Sequence, residues 1–141
     1  MNKYFKFLFV IVFFLFGIAF VANSQTYYGS NGQSIGRVDS DGTVRNSNGA
    51  SIGKVERDGT IRNSNGAQIG KIENDGTIRD RSNSTIGKID SDGTVRNKNN
   101  ASIGKIDRDG TVRNANGASI GRVGSIDTKL AAVIFFMNLF N

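Results

Sequence analysis

The sequence predicts an all-β fold: a closed ring of tandem 17-residue β-hairpin repeats, with a short hydrophobic C-terminal segment, helical in pattern, plugging its centre. Three observations predict it. A unit opening Ile-Gly-Lys/Arg-Val/Ile recurs every 17 residues, at Ile35, Ile52, Ile69, Ile86 and Ile103, with a truncated copy at Ile120. Such a period marks one supersecondary unit that is stabilised by stacking on its neighbours. Each unit holds two short β-branched stretches joined by Asp-Gly, and each junction carries Asn-Gly or a near equivalent. These dipeptides favour tight hairpin turns. The repeat also starts in mid-unit and stops in mid-unit, so its two terminal strands can pair and leave no open edge. An open, rod-like stack of hairpins is the alternative.

Residues 1–24 read as an export signal. Lys3 and Lys6 form a basic start, Phe7 to Val21 is free of charge and mostly apolar, and Ala22-Asn23-Ser24 supplies the small residues that a signal peptidase recognises. Cleavage is expected after Ser24. A retained membrane anchor is the alternative, and its apolar run is short of the ~20 residues of a spanning helix. The chain has no cysteine, which removes a lipobox, a disulfide framework and thiolate metal sites. The expected address is the periplasm or the medium.

Residues 25–125 form the hairpin-repeat domain. Thr26 to Gly29 is the second half of a unit, with Tyr27 one period before Val44, and Ile120 to Val123 is the first half of one. A three-residue loop Ser40-Asp41-Gly42 sets Asp39 opposite Thr43 and Val38 opposite Val44. The loop Ser47-Asn48-Gly49 then sets Asn46 opposite Ala50 and Val44 opposite Ile52, so that Val38, Val44 and Ile52 form one apolar row. Ile52 and Val55 lie three apart, and a bulge at Gly53-Lys54 is expected to return both to the core side. Where the junction glycine becomes Asn83 and Asn100, asparagine tolerates the left-handed backbone that the turn demands.

At this point the sequence resembles the five-fold β-flower proteins, exported bacterial proteins of unknown activity. The tandem IG[KR][VI][DE]xDGT[VI]R units, their Asn-Gly junctions, their number, the leader and the hydrophobic carboxyl end carry the resemblance, over about residues 26–140. It implies hairpin petals around a pseudo-five-fold axis and no activity. The flanking half-units leave five or six petals open.

Residues 126–141 break the repeat. The run Leu130 to Phe140 is apolar on all sides, and Asp127 or Thr128 can cap a helix there. Eleven residues at ~1.5 Å each span about half of a ~30 Å hydrocarbon layer. The expected role is a plug packed on the repeat domain, with a membrane or partner anchor as the alternative.

Lys3 and Lys6 account for two of 18 basic residues, leaving 16 against 12 acids, a charge of +4 on the mature chain. The charges nearly cancel within each unit, which gives a mixed-sign surface rather than a nucleic-acid patch. The repeats contain no aromatic residue on which bases could stack. Asp39-Ser40-Asp41-Gly42 resembles the start of a calcium loop, yet it supplies two carboxylates and no later bidentate glutamate. With no histidine or cysteine, and a basic neighbour for each acid, neither an acid–base pair nor a cofactor or metal is expected. The expectation is an exported, non-enzymatic structural, binding or scaffold protein. Arg45, Arg62, Arg79, Arg96 and Arg113 form its candidate ring for an anionic or cell-envelope partner. The alternative is an envelope protein held to a membrane by its tail.

Overall fold

The computed structural model describes residues 24–141. The leader assigned to residues 1–24 therefore lies, except for Ser24, outside the described residues. Twelve short strands follow one another: β1 (Gln25–Gly29), β2 (Ser34–Val38), β3 (Thr43–Asn46), β4 (Ser51–Val55), β5 (Thr60–Asn63), β6 (Gln68–Ile72), β7 (Thr77–Asp80), β8 (Thr85–Ile89), β9 (Thr94–Asn97), β10 (Ser102–Ile106), β11 (Thr111–Asn114) and β12 (Ser119–Val123). They pair antiparallel in sequence order into a closed barrel. Closure is made by the two half-units, with Tyr27 opposite Val123, Tyr28 opposite Arg122 and Gly29 opposite Gly121. The count of petals is thus six: five continuous hairpins and a sixth assembled from β12 and β1, which no turn connects.

The turns explain why the chain reverses where it does. In the first petal Asp39 N–H donates to Thr43 O at 2.8 Å and Gly42 N–H to Asp39 O at 3.0 Å, while Asp41 Oδ1 accepts Thr43 N–H at 2.9 Å. At the junction Asn46 Oδ1 accepts the N–H groups of Asn48 and Ala50, an Asx turn that holds the Asn-Gly loop. Asn83 and Asn100 take φ of 65° and 67°, the left-handed conformation expected of them. All Asp-Gly turns lie at one mouth of the barrel and all Asn-Gly turns at the other.

Each Asp-Gly turn also docks on the next petal: Val55 N–H donates to Gly42 O at 3.0 Å and Ile72 N–H to Gly59 O at 2.8 Å. Gly59 and Gly93 both sit at φ +89°, and a Cβ on either would overlap the carbonyl oxygen of Ile72 or Ile106. Gly59→Val and Gly93→Val are each expected to cost roughly 1–3 kcal/mol, since a β-branched residue is forced into the left-handed region against a neighbouring strand. Chemical denaturation of the two variants checks this. Unchanged midpoints would refute the docking role.

The register differs from expectation at one place in every unit. Val44 stands opposite Gly53 and Arg45 opposite Ser51, which leaves Ile52 as the extra residue. The bulge is therefore at Ile52-Gly53 rather than Gly53-Lys54, and Ile52 does not continue the row of Val38 and Val44. Its counterparts throughout the chain sit at the Asn-Gly mouth, partly exposed, with Ile35 at 40%. The fully buried belt is Val44, Ile61, Ile78, Val95 and Val112, and Tyr27 takes the sixth place in it.

The reason the glycine must face inward lies in the tail. After β12 the chain turns in at the Asp-Gly mouth. Asp127 caps helix α1 (Thr128–Ala132) by accepting Lys129 N–H at 2.9 Å and Leu130 N–H at 3.3 Å. Lys129 Nζ ties the helix to the rim through Asn74 O at 2.8 Å. Ala131, Ala132 and Val133 are wholly buried, and a π-helical stretch, Val133–Met137, follows. Its side chains meet the inward glycines one petal at a time: Phe135 at Gly121, Phe136 at Gly104 and Met137 at Gly87, then Leu139 at Gly70 and Phe140 at Gly53. Tyr27 covers the sixth, Gly36, and its hydroxyl donates to Arg45 O at 3.1 Å. An α-helix advances about 100° per residue, more than the sixth of a circle between petals; the wider π winding and the left-handed Asn138, at φ 53°, bring successive side chains nearer to successive petals. The hydrophobic tail is the core of the barrel, not a free anchor.

Candidate functional site

The five arginines of the candidate ring lie on the outer wall in five copies of one geometry, because a β-strand sends Val44 inward and Arg45 outward. Each Nε donates to the acid six residues earlier in the same petal. The distance is 2.6 Å for Arg45–Asp39 and Arg79–Glu73, and 2.7 Å for Arg62–Glu56, Arg96–Asp90 and Arg113–Asp107. Each Nη1 reaches a carbonyl of the Asn-Gly turn: Gly49, Gly66, Asn100 and Gly117 at 3.1 Å and Asn83 at 3.3 Å. One arginine thus ties the two ends of its hairpin together.

A guanidinium has five N–H donors, and these bonds use two or, for Arg79, three of them. Nη2 of every ring arginine lacks a protein hydrogen bond among the described residues. The five groups are held at fixed spacing with donors to spare. Directly across the strand from each is another cation, as in Lys54 opposite Arg62 and Lys71 opposite Arg79. Such like-charged pairs repel, and the carboxylate on Nε offsets the repulsion. At the sixth petal the arginine position is Tyr28, 38% exposed, opposite Arg122.

Two cavities at the Asp-Gly mouth border α1. The larger, about 450 Å³, is bordered by Asp75, Ser91, Asp92, Ile106, Arg108 and Lys129. The smaller, about 260 Å³, is bordered by Arg57, Asp58, Glu73 and Leu130 among others. Their carboxylates are committed to structure. Backbone N–H groups of Thr60, Thr77 and Thr94 hold the carboxyls of Asp58, Asp75 and Asp92 below the ordinary carboxylate range. On the wall, the Arg45 hydrogen bond does the same for Asp39. A general acid or base works best with a pKa near the working pH, and these shifts run away from neutrality. The calcium-like Asp39-Ser40-Asp41 is divided in the same way, one carboxylate to Arg45 and the other to Thr43. Tyr27 is pushed up by its burial, so its hydroxyl stays a donor.

Sequence reasoning missed the sockets that the inward glycines form for the tail, and the split of acids from the Asn-Gly mouth. A glycine carries no mark of the side chain that fills its space.

A closed barrel of six petals, five of them pinned by an arginine and five filled from the centre by a tail side chain, defines a repeat-built petal architecture. The chain matches the family model of the 5-fold beta-flower protein over residues 24–139 and belongs to that family. No curated protein matches it, and no solved structure does.

Proposed function

We propose that the protein is exported to the periplasm or medium and acts there as a non-enzymatic binding or scaffold module, with no cofactor. The arginine ring is its contact for a repeating anionic partner of the cell envelope. One observation carries this reading: five guanidiniums stand in the same orientation at regular intervals on the wall, each with unused donors. Single contacts of this exposed kind are weak, and a regular array strengthens binding only to a partner that repeats as well. An anionic polysaccharide is such a partner.

The test begins with protein recovered from the periplasmic or extracellular fraction, whose first residue is expected to be Gln25. Retention on an immobilised anionic polysaccharide should fall steadily as salt rises. Joint replacement of Arg62, Arg79 and Arg96 by glutamine should abolish it, while single replacements change it only slightly. Circular dichroism must show the triple variant folded, because Glu56, Glu73 and Asp90 lose their partners. No salt-sensitive retention of the unaltered protein refutes the arginine ring as a contact, and a chain that keeps Met1 refutes export by cleavage.

A further inference from the structure

The two mouths of the barrel differ in kind. Each of the five Asp-Gly loops carries two acids and Asp127 lies at the same end, so eleven of the twelve Asp and Glu side chains are gathered there. Five of them are paired with the ring arginines, and Arg57, Arg108 and Lys129 offset part of the rest. The Asn-Gly mouth keeps one, Asp80, whose oxygen is taken by the N–H groups of Ser82 and Ser84. Arg81 and Lys98 stand exposed in the loops of that same rim, and neither is in an ion pair among the described residues. Inside the rim the surface turns apolar. The first isoleucine of every repeat lies there, with Ile35 the most exposed, and within their circle the half-buried Phe135, Phe136 and Phe140 of the plug. Exposed Ile35 and the partly exposed apolar side chains beside it, ringed by polar loops, mark a candidate interaction surface.

We propose that the Asn-Gly mouth is a membrane-docking face that seats on an anionic lipid surface, with the isoleucine circle and the plug aromatics entering the interface. The charge on the rim selects the occupant. Arg81 and Lys98 are drawn to anionic headgroups, and the acidic mouth is turned away from them. A second copy would offer these cations no free acid in return, since Asp80 is the one acid of the rim and its oxygen is taken by Ser82 and Ser84. Contact is interfacial in the manner of monotopic proteins. Among the described residues no helix is long and apolar enough to cross a membrane. The strands have four or five residues, against the ~9–11 of a spanning strand, and their outer faces carry the charged side chains.

This inference uses a different face from the arginine ring, and the two fail separately. The chain contains no tryptophan, so Ile35→Trp introduces a clean reporter at the rim, where tryptophan suits an interface. Vesicles of phosphatidylcholine with about a third phosphatidylglycerol are expected to sediment the protein and shift the reporter's emission to the blue. Neutral vesicles should do so at least tenfold more weakly. Arg81→Glu with Lys98→Glu should abolish the preference for anionic vesicles, and Ile35→Asp with Ile86→Asp should abolish sedimentation while the protein stays folded. The triple arginine variant should bind vesicles as the unaltered protein does. Absence of sedimentation overturns the proposal. So does sedimentation that the mouth variants leave unchanged, which would place the contact in the leader or on the wall. A dimer dispersed by Ile35→Asp, with no vesicle binding, would overturn it in favour of a second copy as the occupant.

Discussion

A chain truncated after Thr128 is expected to lose cooperative folding, giving an aggregating or molten product that binds hydrophobic dyes. The cut removes the buried Leu130, Ala131, Ala132 and Val133 and all five tail side chains that occupy glycine sockets. Burial of each large apolar side chain contributes about 1.5–3 kcal/mol, less for those left partly exposed at the Asn-Gly mouth. Five of them together approach the ~5–15 kcal/mol by which whole domains are stable. The barrel cannot shrink to compensate, because twelve strands fix its width. At the sockets the wall is glycine, so it has no side chain at that level to replace those of the tail. Tyr27 would remain over Gly36, one socket filled of six. Near-ultraviolet and far-ultraviolet circular dichroism with size-exclusion chromatography read the outcome. A monodisperse truncation with a sharp melt would show that the wall suffices.

Much of this architecture is legible in the residues themselves. Asp39, Thr43, Asn46 and Ala50 pair as the two loops demand, since glycine or asparagine in the left-handed region leaves few ways to close a hairpin. Ring closure follows from the half-units because a strand edge seeks a partner. The register at Ile52 was not legible. Hydrophobicity alone places an isoleucine in the core row and a bulge after it, whereas the inward space belongs to Gly53 because Phe140 arrives from 87 residues further along the chain. The same distance hides the order of Phe135, Phe136, Met137, Leu139 and Phe140, a spacing that matches neither strand nor α-helix and makes sense only against six petals. The arginine ring was legible as a recurrence and its ion pairs as neighbouring charge. That each arginine also clamps the Asn-Gly turn needed the hairpin in three dimensions. The isoleucines at the mouth carry the same lesson: a residue repeated in every unit reads as core until the curvature of the ring shows which positions reach its rim.

The socket relation makes the sharpest quantitative prediction, at Gly104 and Phe136. A Cβ at Gly104 would stand 2.5 Å from Phe136 Cζ and also 2.5 Å from Arg113 O. Gly104→Ala should therefore cost roughly 2–3 kcal/mol through overpacking, although the new side chain is a single methyl group. Phe136→Ala empties the socket and should cost about 3 kcal/mol, at the low end for phenylalanine because the ring is partly exposed. In the double variant the methyl group meets an empty socket on one side and the Arg113 carbonyl still on the other. The combined loss should fall short of the sum of the single losses by about 1 kcal/mol, the part of the clash that belongs to the ring. Gly117 has open space around it and lies in an Asn-Gly loop at φ +82°, so Gly117→Ala serves as the control and should show no coupling to Phe136. Equilibrium denaturation of the set decides the matter. Strict additivity at Gly104 would show that the glycine answers to the bulge alone. A shortfall reproduced at Gly87 with Met137 would establish that the tail reads the ring one petal at a time.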